Sequence, residues 1–178
     1  KAAEKYLREQ MALARRDLAY LESVLQEIEQ AETEQDFTDI RNELKDAGFI
    51  RKQGKKLPQR PSKPREFRTT DGLRVLVGRN KDADYRDLWF HVQKLHGSHV
   101  ILCTGGREPT DRDVTEAAIL AAFYSQAQGG ANVPVDCTQV KNVKKPAGGR
   151  PGMVIYTTYR TVNVTPDAEA VKAMQLGK

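Results

Sequence analysis

The N-terminal part of the chain carries apolar residues at the spacing of a coiled-coil helix. They follow one another in alternating steps of four and three residues, with no Gly or Pro between the first and the last: Leu7, Met11, Ala14, Leu18, Leu21, Leu25 and Ile28. This heptad seam is narrower than the apolar stripe of a helix that lies on a globular core. The pattern therefore predicts a long helix that pairs with a second helix, in this chain or in another.

A shorter helix and a linker are predicted next. Asp36 or Thr38 is placed to cap this helix and Gly48 to end it, and its apolar face would contain Phe37, Ile40 and Leu44. Residues 51–65 then contain Gly, Pro and many basic residues, which is the composition of a linker. The linker is either a solvated tether or a segment that contacts phosphate groups.

Beyond residue 65 the apolar pattern changes to short runs separated by turn residues. Asp71-Gly72 predicts a hairpin within residues 67–77, and the runs at 88–92 and 100–103 predict a second pair around Gly97 and Ser98. Thr110 and Asp113 have the spacing of a capping box, which would open a helix that stops at Gly129 and Gly130.

The C-terminal part completes the predicted fold. A strand is expected within residues 133–143, and a closing hairpin within residues 153–158 and 161–164. Six or seven strands against one main helix can form an independent core. We therefore predict an α+β fold, a mixed sheet of hairpins with one main helix, preceded by a long coiled-coil helix. The predicted divisions are a coiled-coil arm at 1–50, a basic linker at 51–65 and a domain at 66–178.

The composition of the chain indicates which broad class of protein it belongs to. Hydrophobic residues make up 39% and charged residues 30% of the 178 residues, which suits a modest core with much solvated surface. No apolar run approaches the roughly 20 residues that span a bilayer, and no signal-peptide pattern opens the chain. Cys103 and Cys137 lie in strand-like runs, where buried reduced thiols are expected. These features favour a cytoplasmic protein with no membrane partner.

The net charge of +5 conceals an uneven distribution. Residues 1–50 contain 7 basic and 12 acidic residues, residues 51–68 contain 8 and 1, and the remainder contains 14 and 11. The chain therefore has an acidic arm, a basic linker region and a mildly basic body. Within the body, five basic residues lie between residues 139 and 160 with no acidic residue among them: Lys141, Lys144, Lys145, Arg150 and Arg160.

The loop at 146–152 is a candidate anion-binding segment. It is rich in Gly and Pro, and glycines allow backbone N–H groups to approach an anion while the nearby lysines supply charge. Tyr156 and Tyr159 follow as possible stacking surfaces. The segment therefore predicts contact with a phosphate backbone, unless it is simply a solvated basic loop. Because it lacks the Gly-Lys-Ser/Thr ending of a nucleotide P-loop, we do not expect it to bind ATP or GTP.

The strand that contains the only tryptophan is a second candidate site. Asp87, Trp89 and His91 alternate along the chain with apolar residues, so in an extended strand these three side chains share one face. That face either meets solvent without a specific role or forms a working surface. We favour the working surface, because a carboxylate, an indole and an imidazole stand in one row.

Two kinds of catalytic site are not expected around this strand. His91 lies on the strand whereas His96 and His99 flank a turn, and no Cys or Glu follows at a metal-ligand spacing. Asp87 and His91 would stand about 13 Å apart on a strand, too far for an acid–base pair. We therefore expect no catalytic residue, no metal and no cofactor.

Several short motifs resemble the NFACT-R domain of the bacterial RqcH, or fibronectin-binding protein A, branch of the NFACT family. They occur in order as Asp-Leu-Trp-Phe-His at 87–91, Gly-Ser-His-Val at 97–100, Asn-Val-Pro-Val-Asp at 132–136, Val-Lys-Lys-Pro at 143–146 and Arg-Pro-Gly-Met-Val-Ile-Tyr at 150–156. The resemblance covers about residues 66–178, and the arm is similar to the returning coiled-coil helix of the same family.

The resemblance implies a role in ribosome-associated quality control. Such proteins bind the large ribosomal subunit with its stalled peptidyl-tRNA and recruit alanyl-tRNA for C-terminal alanine tailing, while the ribosome supplies the chemistry. The chain would then be a non-enzymatic module that binds tRNA and rRNA, with half a coiled coil that can self-associate. The implied RNA-binding residues are Asp87, Trp89, His91, Ser98, His99, Lys141, Lys144, Lys145 and Arg150.

Lys144, Lys145 and Arg150 would contact phosphates, while Trp89 and His91 would stack on or hydrogen-bond to nucleotides. Asp87 would orient the surroundings of His91 or a ribose hydroxyl. Two alternatives stay open. One is a surface adhesin that binds fibronectin, as the older family name suggests, and the other is an RNA-modifying enzyme built on the row of Asp87, Trp89 and His91.

Overall fold

The computed structural model describes residues 1–51, 63–78, 83–147 and 152–175. Four helices lie in these ranges, α1 (Ala2–Glu29), α2 (Glu34–Asp46), α3 (Asp111–Phe123) and α4 (Ala168–Met174). The strands are β1 (Arg65–Arg68), β2 (Arg74–Val77), β3 (Leu88–Val92), β4 (Val100–Cys103), β5 (Val133–Gln139), β6 (Val143–Lys144), β7 (Ile155–Tyr156) and β8 (Arg160–Val164). A short 3-10 helix, Val140–Asn142, joins β5 to β6. The predicted α+β class with a long N-terminal helix is confirmed.

The arm consists of α1 folded back against α2. Tyr20 and Val24 of α1 pack on Ile40 of α2, and all three side chains are buried. The N-cap of α2 is Thr33, whose hydroxyl accepts the backbone N–H of Asp36 while the Asp36 carboxylate accepts the Thr33 N–H. The prediction of Asp36 or Thr38 as the cap was therefore wrong. Asp36 is the acidic partner of a capping box that Thr33 begins.

The predicted coiled-coil seam of α1 lies away from α2. Its six large apolar side chains are between 39% and 59% exposed: Leu7, Met11, Leu18, Leu21, Leu25 and Ile28. The structure therefore leaves this apolar stripe of α1 uncovered. Its pairing with another helix stays a prediction.

The body is built on a six-stranded antiparallel sheet in the order β1-β2-β4-β3-β5-β8. The predicted hairpin at Asp71-Gly72 is confirmed, with Gly72 at φ +88° in the left-handed region that favours glycine. The pairing of β3 with β4 is confirmed as well. β1 and β8 form the two edges, and Gln175 after α4 bridges to Phe67 of β1.

The predicted closing hairpin was wrong. β7 pairs with β6 in a separate two-stranded ribbon, and β8 pairs with β5 at the edge of the main sheet. The chain turns between β7 and β8, where the Thr138 hydroxyl hydrogen-bonds to the carbonyl oxygens of Thr157 and Thr158 and Thr158 has φ +52°. This turn carries β8 to β5 instead of back along β7.

The main core lies between one face of the sheet and α3. Phe67, Phe90, Leu102 and Leu120 are at most 2% exposed there, and the alanines of α3 allow it to pack closely on the strands. α3 ends at Phe123, before the predicted stop at residues 129 and 130. The next residues leave the helix because Ser125 bridges to Gly97 in the connection between β3 and β4, and a Cβ on Gly97 would lie 2.6 Å from the Ser125 Cβ.

The arm is joined to the body by side-chain contacts at the end of α1. Arg65 begins β1, so the predicted linker ends before it, and most of that linker, residues 52–62, lies outside the described residues. The Arg65 guanidinium donates to the Gln30 carbonyl, pairs with Glu32 at 3.3 Å and lies 5.0 Å from the ring centre of Tyr124.

Among the described residues, no helix combines the length and apolar character needed to cross a membrane.

Both cysteines are free. Cys137 is buried and Cys103 is partly buried, as the strand-like runs predicted. Burial raises the pKa of both thiols, so neither is a reactive thiolate.

Candidate nucleic-acid interface

The face of the sheet opposite α3 carries a second, smaller core. Leu76, Trp89 and Ile101 are buried there beneath the β6–β7 ribbon, which contributes Val143 and Tyr156. The alternation along β3 places Trp89 on this face and Phe90 on the α3 face, as the sequence predicted. The ribbon, however, turns the predicted working surface into a covered one.

Trp89 does not offer a ring face to a nucleotide in this structure. It is 2% exposed, it stacks on His91 with ring centres 5.6 Å apart, and the Tyr156 ring lies 4.8 Å away. The sequence-based expectation of direct stacking by Trp89 is therefore not supported by its position. The β6–β7 ribbon that covers it comes from a distant part of the chain.

Asp87 is a structural residue at the start of β3. It is 5% exposed, and its carboxylate accepts the backbone N–H groups of Asp84 and Thr104, each at 2.9 Å. These bonds tie the turn at residues 84–87 to the chain that leaves β4. The position of Asp87 therefore does not support the predicted contact with a ribose hydroxyl, which stays a prediction.

His91 and His99 are brought together although the sequence placed them on different elements. Their ring centres are 5.3 Å apart, edge to face. The two ring nitrogens of His91 face the carbonyl oxygens of Val92 at 2.8 Å and Gly97 at 3.1 Å. Burial lowers the pKa of His91 in spite of these carbonyls, and burial together with the neighbouring His91 lowers the pKa of His99 to about 3. His99 is therefore neutral at pH 7, whereas at His91 the two carbonyl acceptors raise the pKa and oppose the burial that lowers it.

The other predicted residues have three different outcomes. The Ser98 hydroxyl donates to the Gln30 side chain at 3.0 Å, so Ser98 joins the body to the arm. Lys141, Lys144 and Lys145 are exposed on the 3-10 helix and at β6, where they can reach an external anion. Arg150 lies outside the described residues. Those residues contain no cluster of side chains that could hold a metal ion.

Exposed residues that sequence reasoning missed lie beside these lysines. Tyr85 is 58% exposed, and the Arg86 guanidinium lies 5.3 Å from its ring centre. The Tyr85 carbonyl accepts the backbone N–H of Lys141 at 3.1 Å, so the turn at 84–87 adjoins the lysine segment. We name this surface the basic rim: Tyr85, Arg86, Lys141, Lys144 and Lys145. An aromatic residue beside an arginine could have indicated it in the sequence.

Asp136 is a further polar residue that the sequence analysis did not single out. It lies opposite His91 in the β3–β5 register and is 1% exposed. Its carboxylate accepts hydrogen bonds from the hydroxyls of Tyr156 and Thr161, both at 2.7 Å. Burial and the bond to Asp136 raise the pKa of Tyr156. Asp136 therefore anchors the β6–β7 ribbon to the sheet.

Comparison with known families gives two adjoining matches. Residues 1–63 match the NFACT N-terminal and middle domains, and residues 63–157 match the NFACT protein RNA binding domain. Curated relatives include the Rqc2 homolog RqcH of Streptococcus pneumoniae, 38% identical over 98% of this chain and 33% of the relative. RqcH of Bacillus subtilis is 36% identical over 92% of this chain and 30% of the relative. The chain thus spans about a third of the length of these relatives.

A solved structure has the same fold over nearly the whole chain. It is the C-terminal part of the fibronectin/fibrinogen-binding protein from Streptococcus suis, with 34% sequence identity and a TM-score of 0.88. The alignment covers 98% of this chain and 74% of that one.

Proposed function

This chain belongs to the NFACT protein family, and from that premise we propose that it is the RNA- and ribosome-binding module of a ribosome quality control factor. In this proposal the module docks on the large ribosomal subunit that carries a stalled peptidyl-tRNA, and it contacts tRNA or rRNA. The whole factor recruits alanyl-tRNA for alanine tailing. Because ribosomes work in the cytoplasm, we place the protein there.

The basic rim is the observation that carries this proposal. It combines three exposed lysines with an exposed aromatic ring and an arginine, and the bond from the Lys141 N–H to the Tyr85 carbonyl joins the two segments that carry them. Lysines neutralise phosphates, and aromatic and guanidinium groups stack on unpaired bases. Tyr159, 51% exposed beside Tyr156, adds a second ring near the β6–β7 ribbon. This composition favours RNA as the partner.

The polar residues beneath the ribbon support a binding role over a catalytic one. The Asp87 carboxylate is engaged by backbone N–H groups, and His91 is engaged by two carbonyl oxygens. Neither side chain is free to exchange a proton with a substrate in this arrangement. We therefore propose that the ribosome, and not this module, supplies the peptidyl-transfer chemistry.

The experiment is tRNA binding measured by fluorescence anisotropy across a salt series. The variant K141A/K144A/K145A removes three rim charges, and the matched control K1A/K5A/K172A removes three exposed lysines elsewhere. We expect the rim variant to bind more weakly and to lower the slope of log K against log salt by about 2. Equal affinities and slopes for the two variants would contradict the assignment of the rim.

Fibronectin binding is a second candidate, favoured by the name of the solved relative from S. suis, which shares the fold over nearly the whole chain. A direct test is immobilised fibronectin with the same two lysine variants. Binding that persists after ribonuclease treatment and is unaffected by salt would favour this function.

A further inference from the structure

A cavity of about 170 Å³ lies in the second core, behind the β6–β7 ribbon. Its walls come from separate parts of the body, so the tertiary fold creates it. The aromatic wall is Trp89 with His99, and the aliphatic wall is formed by Ala83, Ile101, Val140 and Val143. An apolar cavity of about 150 Å³ is large enough to hold one benzene ring. The space here accordingly suits a single planar ring.

The chemistry of the walls favours a ring that is neutral and able to form hydrogen bonds. The lining has no acidic or basic side chain besides His99, whose low pKa keeps it neutral. A neutral imidazole presents one N–H donor and one acceptor nitrogen. The indole N–H of Trp89 is buried and has no acceptor among the described residues. A buried donor without a partner is unusual in a native core.

The cavity adjoins the basic rim. Val140 and Val143 line it, and each is followed directly by a lysine of the rim, Lys141 and Lys144. The Val140 N–H donates to the Asp87 carbonyl at 2.9 Å, which joins this wall to the turn that carries Tyr85 and Arg86. A ligand with a neutral ring and an anionic group can therefore occupy the cavity and the rim together.

We propose that this cavity receives the base of one unpaired RNA nucleotide, whose flanking phosphates lie on the lysines of the basic rim. The inference rests on the proposed function, because it names how the same surface would read RNA. It also gives Trp89 a role that a buried side chain can have. The indole forms the wall of a base pocket, whereas an open stacking face would need to be exposed.

The single tryptophan of the chain provides the measurement. The indole N–H of Trp89 gives one resonance in a nitrogen–proton NMR spectrum of the 178-residue chain. We would titrate it with single-stranded homopentamers of each base and with an abasic ribose-phosphate pentamer of the same charge. At least one base-containing pentamer should shift the indole resonance with saturation, and the abasic pentamer should not.

Two outcomes would overturn the inference. One is an equal shift with the abasic pentamer, and the other is no shift with any pentamer. In the second outcome the tRNA measurement separates the two proposals. If tRNA still binds through the rim lysines, the proposed function stands and only the base pocket fails.

A cavity-filling variant gives an independent test. Val143→Phe should weaken binding of the responsive pentamer at least fivefold and leave the salt slope of tRNA binding unchanged. Ile155→Phe is the matched control, because it adds a ring at a 57% exposed position of the same ribbon. If Val143→Phe does not fold, Ala83→Leu fills the cavity from another lining position. Unchanged pentamer affinity in a folded cavity variant would contradict the proposal.

Discussion

His99 and His91 couple the stability of the body to pH. The pKa of His99 is lowered to about 3 and that of His91 is also lowered, mainly because burial disfavours the charged imidazole. In the unfolded chain both histidines have a pKa near 6.5. The unfolded state therefore takes up protons first as the pH falls, and its free energy drops relative to the folded state.

The free energy of unfolding should consequently fall between pH 7 and pH 5. His99 alone accounts for up to about 2 kcal/mol of this loss, and stability is fully present only above about pH 6.5. Urea unfolding at pH 7, 6 and 5 measures it. His99→Gln should flatten the pH dependence relative to the unsubstituted chain. An unchanged pH dependence in a folded His99→Gln variant would refute the coupling.

Tyr156 should stabilise the β6–β7 ribbon through its hydroxyl. That hydroxyl donates to the buried Asp136 carboxylate at 2.7 Å, and a hydrogen bond to a charged group contributes about 1.5–3 kcal/mol. Tyr156→Phe should lower the free energy of unfolding by about 2 kcal/mol. Tyr159→Phe, at an exposed ring, serves as the control in the same denaturant experiment and should change stability by less than about 0.5 kcal/mol. Equal losses would exclude the hydroxyl bond as the cause.

Single residues show which parts of the site could be predicted. Strand alternation correctly put Trp89 and Phe90 on opposite faces of the sheet, because that period is a local property of the chain. Burial of Trp89 depends on the pairing of β6 with β7. Both of these strands are far from Trp89 in the sequence. Hydrophobic periodicity contains no information on such pairing, so the sequence predicted an open face where the structure has a covered cavity.

At the scale of elements, some helix ends are determined by neighbouring residues and could be predicted, whereas others depend on contacts in the folded protein. The capping box of α3 at Thr110 and Asp113 was predicted correctly, because its bonds lie within four residues. The same motif at Thr33 and Asp36 was present in the sequence but assigned to the wrong residues. The end of α3 at Phe123 could not be predicted, since it depends on the bridge between Ser125 and Gly97 in the folded body.

The uncovered seam of α1 should associate with a second apolar helix. In a solution of this chain alone, the available partner is a second copy, and buried Leu pairs would drive dimerisation. Sedimentation velocity should show a dimer at micromolar to millimolar concentration. The seam variant L18E/L25E should remain monomeric, whereas Leu13→Glu, exposed but outside the seam, should still dimerise. A dimer that survives L18E/L25E would place the contact elsewhere.

At the scale of the whole molecule, a small set of contacts fixes the arm on the body. Arg65 bonds to Gln30 and Glu32, Ser98 donates to Gln30, and His96 lies 3.5 Å from Glu22. These contacts are polar and few. They therefore fix the orientation of the arm relative to the body but add little to the free energy of unfolding. The angle between the arm and the body therefore depends mainly on Arg65, which makes two of these four contacts.

Arg65→Gln should loosen the arm without unfolding the sheet. Small-angle X-ray scattering should show a broader distribution of interatomic distances, while the thermal midpoint changes by only a few degrees. The control is Arg68→Gln on the same strand, where the guanidinium donates to the local Gly72 carbonyl. Identical scattering from both variants would show that Arg65 does not hold the arm.

The two edge strands of the main sheet affect how readily the protein aggregates at high concentration. An open sheet exposes unpaired backbone groups that can recruit strands from other molecules and start aggregation. Here β1 has only four residues and is bridged by Gln175, while β8 presents the polar side chains of Arg160, Thr161 and Asn163. Both borders are thus poor templates for intermolecular strand addition. The body should stay dispersed even where many copies crowd together, and any assembly should proceed through the helical arm.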